Sequence, residues 1–337
     1  MRATGFDVDV VVLWVDGNDP EWLKEKQEYT GYRDTVNRYR DWGLMKYWFR
    51  GIYEFLPWIR KIHFVTWGHV PDFLDTDNDK IHIVNHKDYM PNEVLPTYSA
   101  QALEMNIHRI EGLSEHFIYF NDDMFVLRPM MKTNFFDEHG FPRMHYEEFP
   151  IRIKGHEANI AYQRTMAADI AAINRNFNKR DVSIKNLLWK RTLGLPLRSI
   201  VRTLALKVLY PEFYTGFKTF HSVSVLKKGT MEKLWEAETK VMEETTERRF
   251  RHPDSVNRSL IDWWQLVTGD FSPRRDDSSV YEITERTIDD ICNEIKYQRS
   301  EIMCINDPDE EIDFEGYSRR IQDAFETLLP DKCEYEK

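Results

Sequence analysis

The chain has 337 residues, of which 42% are hydrophobic, 31% charged and 14% aromatic, with 14 glycines and 14 prolines. That composition suits a globular protein with one large core or two modest ones, and it excludes collagen-like and low-complexity architectures. A net charge of −11 opposes a general nucleic-acid binder, which would need a broad basic face, although a local basic pocket for one diphosphate stays open.

From the N-terminus, residues 1–9 carry acids where a signal peptide would need an apolar run. Residues 8–15 read as a strand buried on both faces of a parallel sheet, ended by the turn Asp16-Gly17. A helix is predicted over 43–56, where Leu44, Tyr47, Trp48, Ile52 and Phe55 recur at helical spacing before Pro57. Two more strands follow at 62–66 and 81–84. A helix over 99–110 with Ser99 as N-cap comes next, then a fourth strand at 117–120. Strands alternating with helices predict an α/β fold with a doubly wound, mostly parallel sheet.

The second half is mainly helical in pattern, including 230–246 and 255–267. Between residues 182 and 211 there are six Lys or Arg and no Asp or Glu. That segment reads as a helical cap packing its apolar face on the core. The alternative is a basic amphipathic contact with an anionic membrane surface. Three regions are expected: 1–150 as an α/β core, 151–300 as a mainly helical cap, and 301–337 packing back on the core. The three cysteines, Cys292, Cys304 and Cys333, are too few and too clustered for a disulfide framework or a zinc site, so a reducing cytoplasm is expected.

In doubly wound sheets ligands bind beyond the carboxyl ends of the strands. Two acidic clusters fall there: Asp16, and Asn121-Asp122-Asp123. The second could hold Mg²⁺ or Mn²⁺ against a diphosphate, since hard cations take carboxylate and phosphate oxygens; an acidic turn that merely ends a strand is the plain alternative. Trp14, Asp16 and Gly17 could seat a base and ribose, or could simply mark a strand–turn boundary. Arg33, Arg38 and Arg40 could bind phosphate or be solvated surface cations. Glu104 could face the same cleft as Asp123, although a lone helix glutamate is usually exposed, and a histidine such as His221 is usually structural. These residue types alone reach a metal-assisted enzyme acting on a nucleotide ligand.

The same residues carry a resemblance. The run from Asp9 to Trp22, containing Trp14-Val15-Asp16-Gly17-Asn18-Asp19, resembles the first block of the Stealth proteins. These are hexose-1-phosphate transferases of bacterial capsule and exopolysaccharide synthesis, related to the animal lysosomal-enzyme N-acetylglucosamine-1-phosphotransferase. A second block runs from Arg40-Asp41 through Leu56-Pro57-Trp58 and Leu95-Pro96-Thr97 to Asn121-Asp122-Asp123-Met124-Phe125. A third appears as Phe220-His221 with Arg251-His252-Pro253-Asp254, and a fourth as Met303-Cys304-Ile305-Asn306-Asp307. The sequence departs from the pattern at Tyr98-Ser99-Ala100, which leaves acceptor or sugar preference open, and again at Trp67-Gly68-His69.

The resemblance implies a GT-A-like sheet and a reaction in which an acceptor hydroxyl attacks the β-phosphorus of a nucleotide sugar. It implies that Glu104, Asp123, His221 and Arg251 are needed for activity. Trp14, Asp16, Gly17, Arg40, Asp41 and Asn121 would bind the donor, and Asp123, Asp122 and Asp307 the Mg²⁺ or Mn²⁺. The partners it implies are a UDP-sugar, by default UDP-N-acetylglucosamine, and a glycan acceptor, free or lipid-linked at the inner face of the cell membrane. A metal-dependent glycosyltransferase releasing UDP and a non-enzymatic glycan-binding protein are the rival readings.

Overall fold

The computed structural model describes residues 5–30, 41–155, 157–308 and 312–337. Its strands in chain order are β1 (Val8–Leu13), β2 (Ile62–Thr66), β3 (Ile81–Asn85), β4 (His116–Asn121), β5 (Met124–Val126), β6 (Arg143–Met144), β7 (Ser224–Lys227), β8 (Ser272–Pro273), β9 (Ser278–Glu282) and β10 (Ile302–Asn306). Five form a sheet in the order β3-β2-β1-β4-β7. The first four are mutually parallel, and β7 closes the edge antiparallel to β4. The fold is therefore α/β around a mostly parallel sheet.

β1 explains the architecture. Val8, Val10 and Val12 enter one core, with helices Met45–Phe55 and Phe314–Leu328, whereas Val11 enters the other, with helices Ala100–Asn106 and Arg258–Thr268. All four valines are fully buried, because a strand sandwiched between helix layers needs apolar side chains at successive positions. One charge interrupts the run. Asp9 is buried and accepts from Arg60 Nε at 2.8 Å and from the Ser114 N–H at 2.8 Å, with His63 Nε2 at 3.1 Å.

Element ends depart from the periodicity. β1 stops at Leu13 rather than residue 15, since the turn N–H of Asp16 is taken by His69 Nε2 at 2.7 Å. Ser99 does cap the next helix, accepting from the Ala102 N–H, but the α-helix ends at Asn106 and continues as one 3-10 turn to Arg109. The helix expected over 230–246 breaks at Glu238. The buried Glu238 carboxylate is claimed there by Arg175 and by Asn176 Nδ2.

The order β2-β1-β4 makes a switch point. The chain leaves β1 toward β2 on one side and returns to β4 on the other, and Leu13 pairs with Asn121 at the carboxyl ends. Loops diverging from such a point open a crevice. A second sheet, β5-β10-β9, buttresses it: β10 runs antiparallel to β5, and the Ile305 N–H donates to the Asp123 carbonyl at 2.9 Å.

Helix Leu197–Leu209 packs Ile200 and Leu204 against the core but leaves other apolar residues outside. Its inward residues are Ser199, Thr203 and Leu206, while Leu197, Val201, Val208 and Leu209 are exposed. The buried side is held by polar contacts to Glu147 and to the backbone of Glu148.

Candidate active site

Two cavities meet at the switch point. The smaller, about 350 Å³, is lined by Trp14, Asp41, Asn121, Asp122, Asp123 and Asp307, among others. The larger, about 910 Å³, is lined by Lys26, Arg143, Lys218, His221 and Arg258, among others. Tyr98, Ala100, Glu104, Asn121 and Arg251 line both. The smaller cavity is thus rich in carboxylates, while the larger carries more cations, with Asp262 and Asp276 among them.

β4 delivers Asn121 at its carboxyl end, and the tight turn into β5 presents Asp122 and Asp123. Asp122 is exposed and lines the smaller cavity, where surrounding protein displaces part of the water that would hydrate its charge. This loss of hydration, and then the neighbouring Asp123, pushes its pKa up to about 7, while Arg251 opposes the rise. Burial also raises Asp123, against His221, the Cys304 thiol and Arg258. Asp123 Oδ1 is buried without a hydrogen-bond partner among the described residues. Ligand atoms of Asp123, His221 and Cys304 lie within 4.8 Å of one another, the one such grouping among the described residues. Asp122 and Asp307 line the same cavity outside it.

The chemistry of these groups decides what they could hold. Cys304 is buried, its thiol donates to Asn306 Oδ1 at 3.4 Å, and burial and Asp123 push its pKa up, so it stays protonated. Sulfur is in any case a soft donor that suits a hard cation poorly. Two carboxylates facing a cleft, one with an unused buried oxygen, do suit Mg²⁺ or Mn²⁺ shared with phosphate oxygens.

Glu104 is 7% exposed, not solvated as a lone helix glutamate would be. It accepts from Tyr119 Oη at 3.1 Å and from the Arg258 N–H at 3.2 Å. The second bond places a carboxylate at the N-terminus of helix Arg258–Thr268, where the dipole favours it. Burial raises the Glu104 pKa, and Arg258 and Arg251 oppose the rise.

Arg251 is positioned from both flanks. Tyr98 N–H donates to the Arg249 carbonyl at 2.8 Å, and His252 N–H donates to Gln101 Oε1 at 3.0 Å. The guanidinium itself has no ion pair or hydrogen bond among the described residues, leaving its fork of donors to the cavities. His221 lies on the larger cavity and is open to it, and loss of hydration lowers its pKa despite Asp123.

Of the expected donor residues, Trp14, Asp41 and Asn121 line the smaller cavity. Asp16 and Gly17 are not in its wall; Asp16 Oδ1 instead accepts the Asn18 N–H at 2.8 Å within the turn. Arg33, Arg38 and Arg40 lie outside the described residues. Sequence reasoning missed Cys304 as a neighbour of Asp123, and it missed Arg258. The guanidinium of Arg258 sits over the Tyr119 ring at 5.8 Å and donates to Ser224 Oγ at 3.3 Å. One signal was available, since a cation in the first turn of a helix opposes its dipole and needs a compensating acid.

Comparison with known proteins decides the family. Residues 6–34 match Stealth protein CR1, conserved region 1, and residues 38–144 match Stealth protein CR2, conserved region 2. The chain is 36% identical over 341 residues to the receptor polysaccharide phosphotransferase WefC of Streptococcus oralis, covering 98% of this chain and 99% of that protein. It belongs to the Stealth family. Two further relatives match at full length. The capsular polysaccharide phosphotransferase WcwK of Streptococcus pneumoniae is 34% identical, with 98% of this chain and 99% of the relative covered. The exopolysaccharide phosphotransferase cps2G of Lactiplantibacillus plantarum is 33% identical, with 98% and 97% covered. This Stealth protein is accordingly a transferase. Its matched regions contain Glu104 and Asn121-Asp122-Asp123, while His221, Arg251 and Asp307 fall in the remainder.

Proposed function

We propose that this Stealth protein transfers a hexose-1-phosphate, by default N-acetylhexosamine-1-phosphate, from a UDP-sugar to a glycan hydroxyl, releasing UMP and building a phosphodiester-linked surface polysaccharide. The observation that carries the reading is the junction of two cavities at Glu104, Asn121 and Arg251, with Asp122 and Asp123 lining one and His221 the other. A two-substrate displacement needs such a junction, because phosphoryl transfer depends mainly on positioning and charge stabilisation. On this reading the sheet is a GT-A-like nucleotide-sugar sheet.

The donor occupies the smaller cavity, with Trp14 against the base and Asp41 and Asn121 bonding the ribose and sugar. Asp123 and Asp122, with Asp307 nearby, would hold Mg²⁺ or Mn²⁺, which supplies neutralisation of the diphosphate. Arg251 meets the phosphoryl oxygens with two parallel N–H donors. The acceptor oxygen forms its bond to the β-phosphorus as the bond from that phosphorus to the bridging oxygen breaks, and UMP departs with the electron pair. His221 takes the hydroxyl proton. Both Glu104 oxygens already accept hydrogen bonds, so Glu104 is a positioning residue for the Arg258 backbone and the charge of Arg251.

Incubating the pure protein with a panel of UDP-sugars, a glycan acceptor and Mg²⁺ tests the reading. Release of UMP with a sugar phosphate on the acceptor supports it. Release of UDP identifies an ordinary glycosyltransferase, and binding without turnover identifies a glycan-binding protein.

A further inference from the structure

Helix Leu197–Leu209 and the segment before it carry an apolar face turned to solvent. Leu197, Val201, Val208 and Leu209 are 56–75% exposed, and Trp189 and Leu193 beside them are 69% and 57% exposed. A surface helix in a globular protein ordinarily does the reverse, burying its apolar stripe. Here the spacing of Leu197, Val201 and Val208 keeps the stripe continuous, while the buried side mixes Leu206, Ile200 and Leu204 with polar residues. Ser199 Oγ and Arg202 Nη1 each donate to Glu147 at 2.9 Å, and the Glu148 N–H donates to Thr203 Oγ1 at 3.2 Å. These hydrogen bonds and the packing of Leu206 hold the orientation, and an exposed apolar patch of this kind marks an interaction site.

Charge identifies the occupant. The chain is −11 overall, so an anionic surface repels most of it. Residues 182–211 contain no Asp or Glu. Lys185, Lys190 and Arg198 are exposed there with no ion pair among the described residues, so their charge is available to a partner. Aromatic and aliphatic side chains rimmed by free cations are the signature of a helix lying in a bilayer interface. None of the described helices is long and apolar enough to cross a membrane, and in-plane docking requires none.

We propose that residues 184–210 dock this enzyme flat on an anionic lipid bilayer, with Trp189, Leu193, Leu197, Val201, Val208 and Leu209 entering the interface and Lys185, Lys190 and Arg198 meeting lipid phosphates. The fold connects this face to the site. Arg191 donates through its guanidinium to the carbonyls of Leu266 and Val267, at the far end of the helix that begins at Arg258 beside Glu104. The larger cavity runs along that same helix, past Asp262, Trp263 and Leu266, a span of about 12 Å at 1.5 Å per residue. A membrane-held acceptor would therefore approach His221 from the docked side, a corollary that rests on the transfer reading; the docking itself does not.

Co-sedimentation with phosphatidylcholine vesicles, with and without phosphatidylglycerol, at low and physiological salt, tests the docking. The expected result is binding to the anionic vesicles only, weakened by salt. Each free cation contributes on the order of fivefold in partitioning, so Lys185→Gln, Lys190→Gln, Arg198→Gln together should weaken binding about a hundredfold. Val201→Asp with Val208→Asp should abolish it. Both positions are solvent-exposed, so an unchanged melt and unchanged turnover of a soluble acceptor should accompany that loss. Absence of binding to anionic vesicles in both salts overturns the proposal, as does binding that survives the aspartates. A concentration-dependent dimer that the aspartates dissolve, without vesicle binding, would assign the face to a second copy of the chain and overturn it likewise.

Discussion

Replacing Glu104 by glutamine separates the charge of this carboxylate from its structural bonds. Glutamine can keep both contacts, its carbonyl oxygen accepting the Arg258 N–H and its amide donating to the Tyr119 hydroxyl. Alanine keeps neither, and two buried donors left without acceptors cost about 1–3 kcal/mol each, hence about 2–6 kcal/mol together. Glutamine should act oppositely on stability at neutral pH. Burial raises the Glu104 pKa above its ordinary 4.5. A group raised in this way contributes stability that is fully present below the unfolded value and lost as pH rises through the folded value. Wild type therefore gives up stability as pH climbs from 4.5 through that raised value, and Glu104→Gln escapes the loss. Activity should fall all the same, because a charge-assisted bond is worth about 1.5–3 kcal/mol, or roughly ten- to a hundredfold in kcat. Thermal melts at about pH 5 and about pH 8, beside nucleotide-release rates, measure both effects. A glutamine variant that matches wild type at the lower pH but melts well below it at the higher would refute the reasoning, for the carboxylate would then be net stabilising.

Asp123→Asn should lower turnover by at least about a hundredfold while melting like wild type, since it removes charge at nearly constant volume. Chelation should mimic that loss and added Mg²⁺ or Mn²⁺ should reverse it; full activity in a well-folded variant would remove Asp123 from the site. Arg251→Ala should cost on the order of 10³ in kcat, and Arg251→Lys nearly as much, because an ammonium loses the paired donors. A lysine variant retaining most activity would reduce Arg251 to a general electrostatic role. His221→Ala should slow transfer by about 10²–10⁴ without weakening UDP-sugar binding, as isothermal titration would show. Asp9→Ala should destabilise the fold by roughly 2–3 kcal/mol, less than a fully buried pair because Arg60 is partly solvated. Since the Asp9 pKa is lowered by His63, Arg60 and the Ser114 N–H despite burial, its contribution is present above 3.8 and lost as pH falls through the folded value, so wild type and variant should converge in acid melts.

Much of the sheet was legible because parallel strands buried on both faces read as continuous β-branched runs, as β1 and β2 do. Ser99 announced its helix through ordinary capping chemistry. The acidic turn after β4 was legible as a site only by its place at a strand's carboxyl end. Glu104, His221 and Arg251 came from resemblance, since nothing local to a helix glutamate or a loop histidine says that the fold will enclose it. Arg258 and Cys304 escaped because their partners, Glu104 and Asp123, lie more than a hundred residues away. Helix Leu197–Leu209 shows the limit of periodicity, which reveals an apolar stripe but not which side faces water. On its inner side Glu147 and the Glu148 backbone hold Ser199, Arg202 and Thr203, beside Leu206, Ile200 and Leu204.

The clamp that β10 places on the Asp122-Asp123 turn sets a time as well as a position. The Ile305 N–H that holds the Asp123 carbonyl belongs to a strand synthesised about 180 residues later. Contacts of such separation form late, after the loop between them has been closed. During synthesis the two carboxylates can exist while their final orientation does not, so a nascent or C-terminally truncated chain carries the acidic motif without the geometry that gives it use. The final shape of that turn thus arrives with β10, the last strand among the described residues.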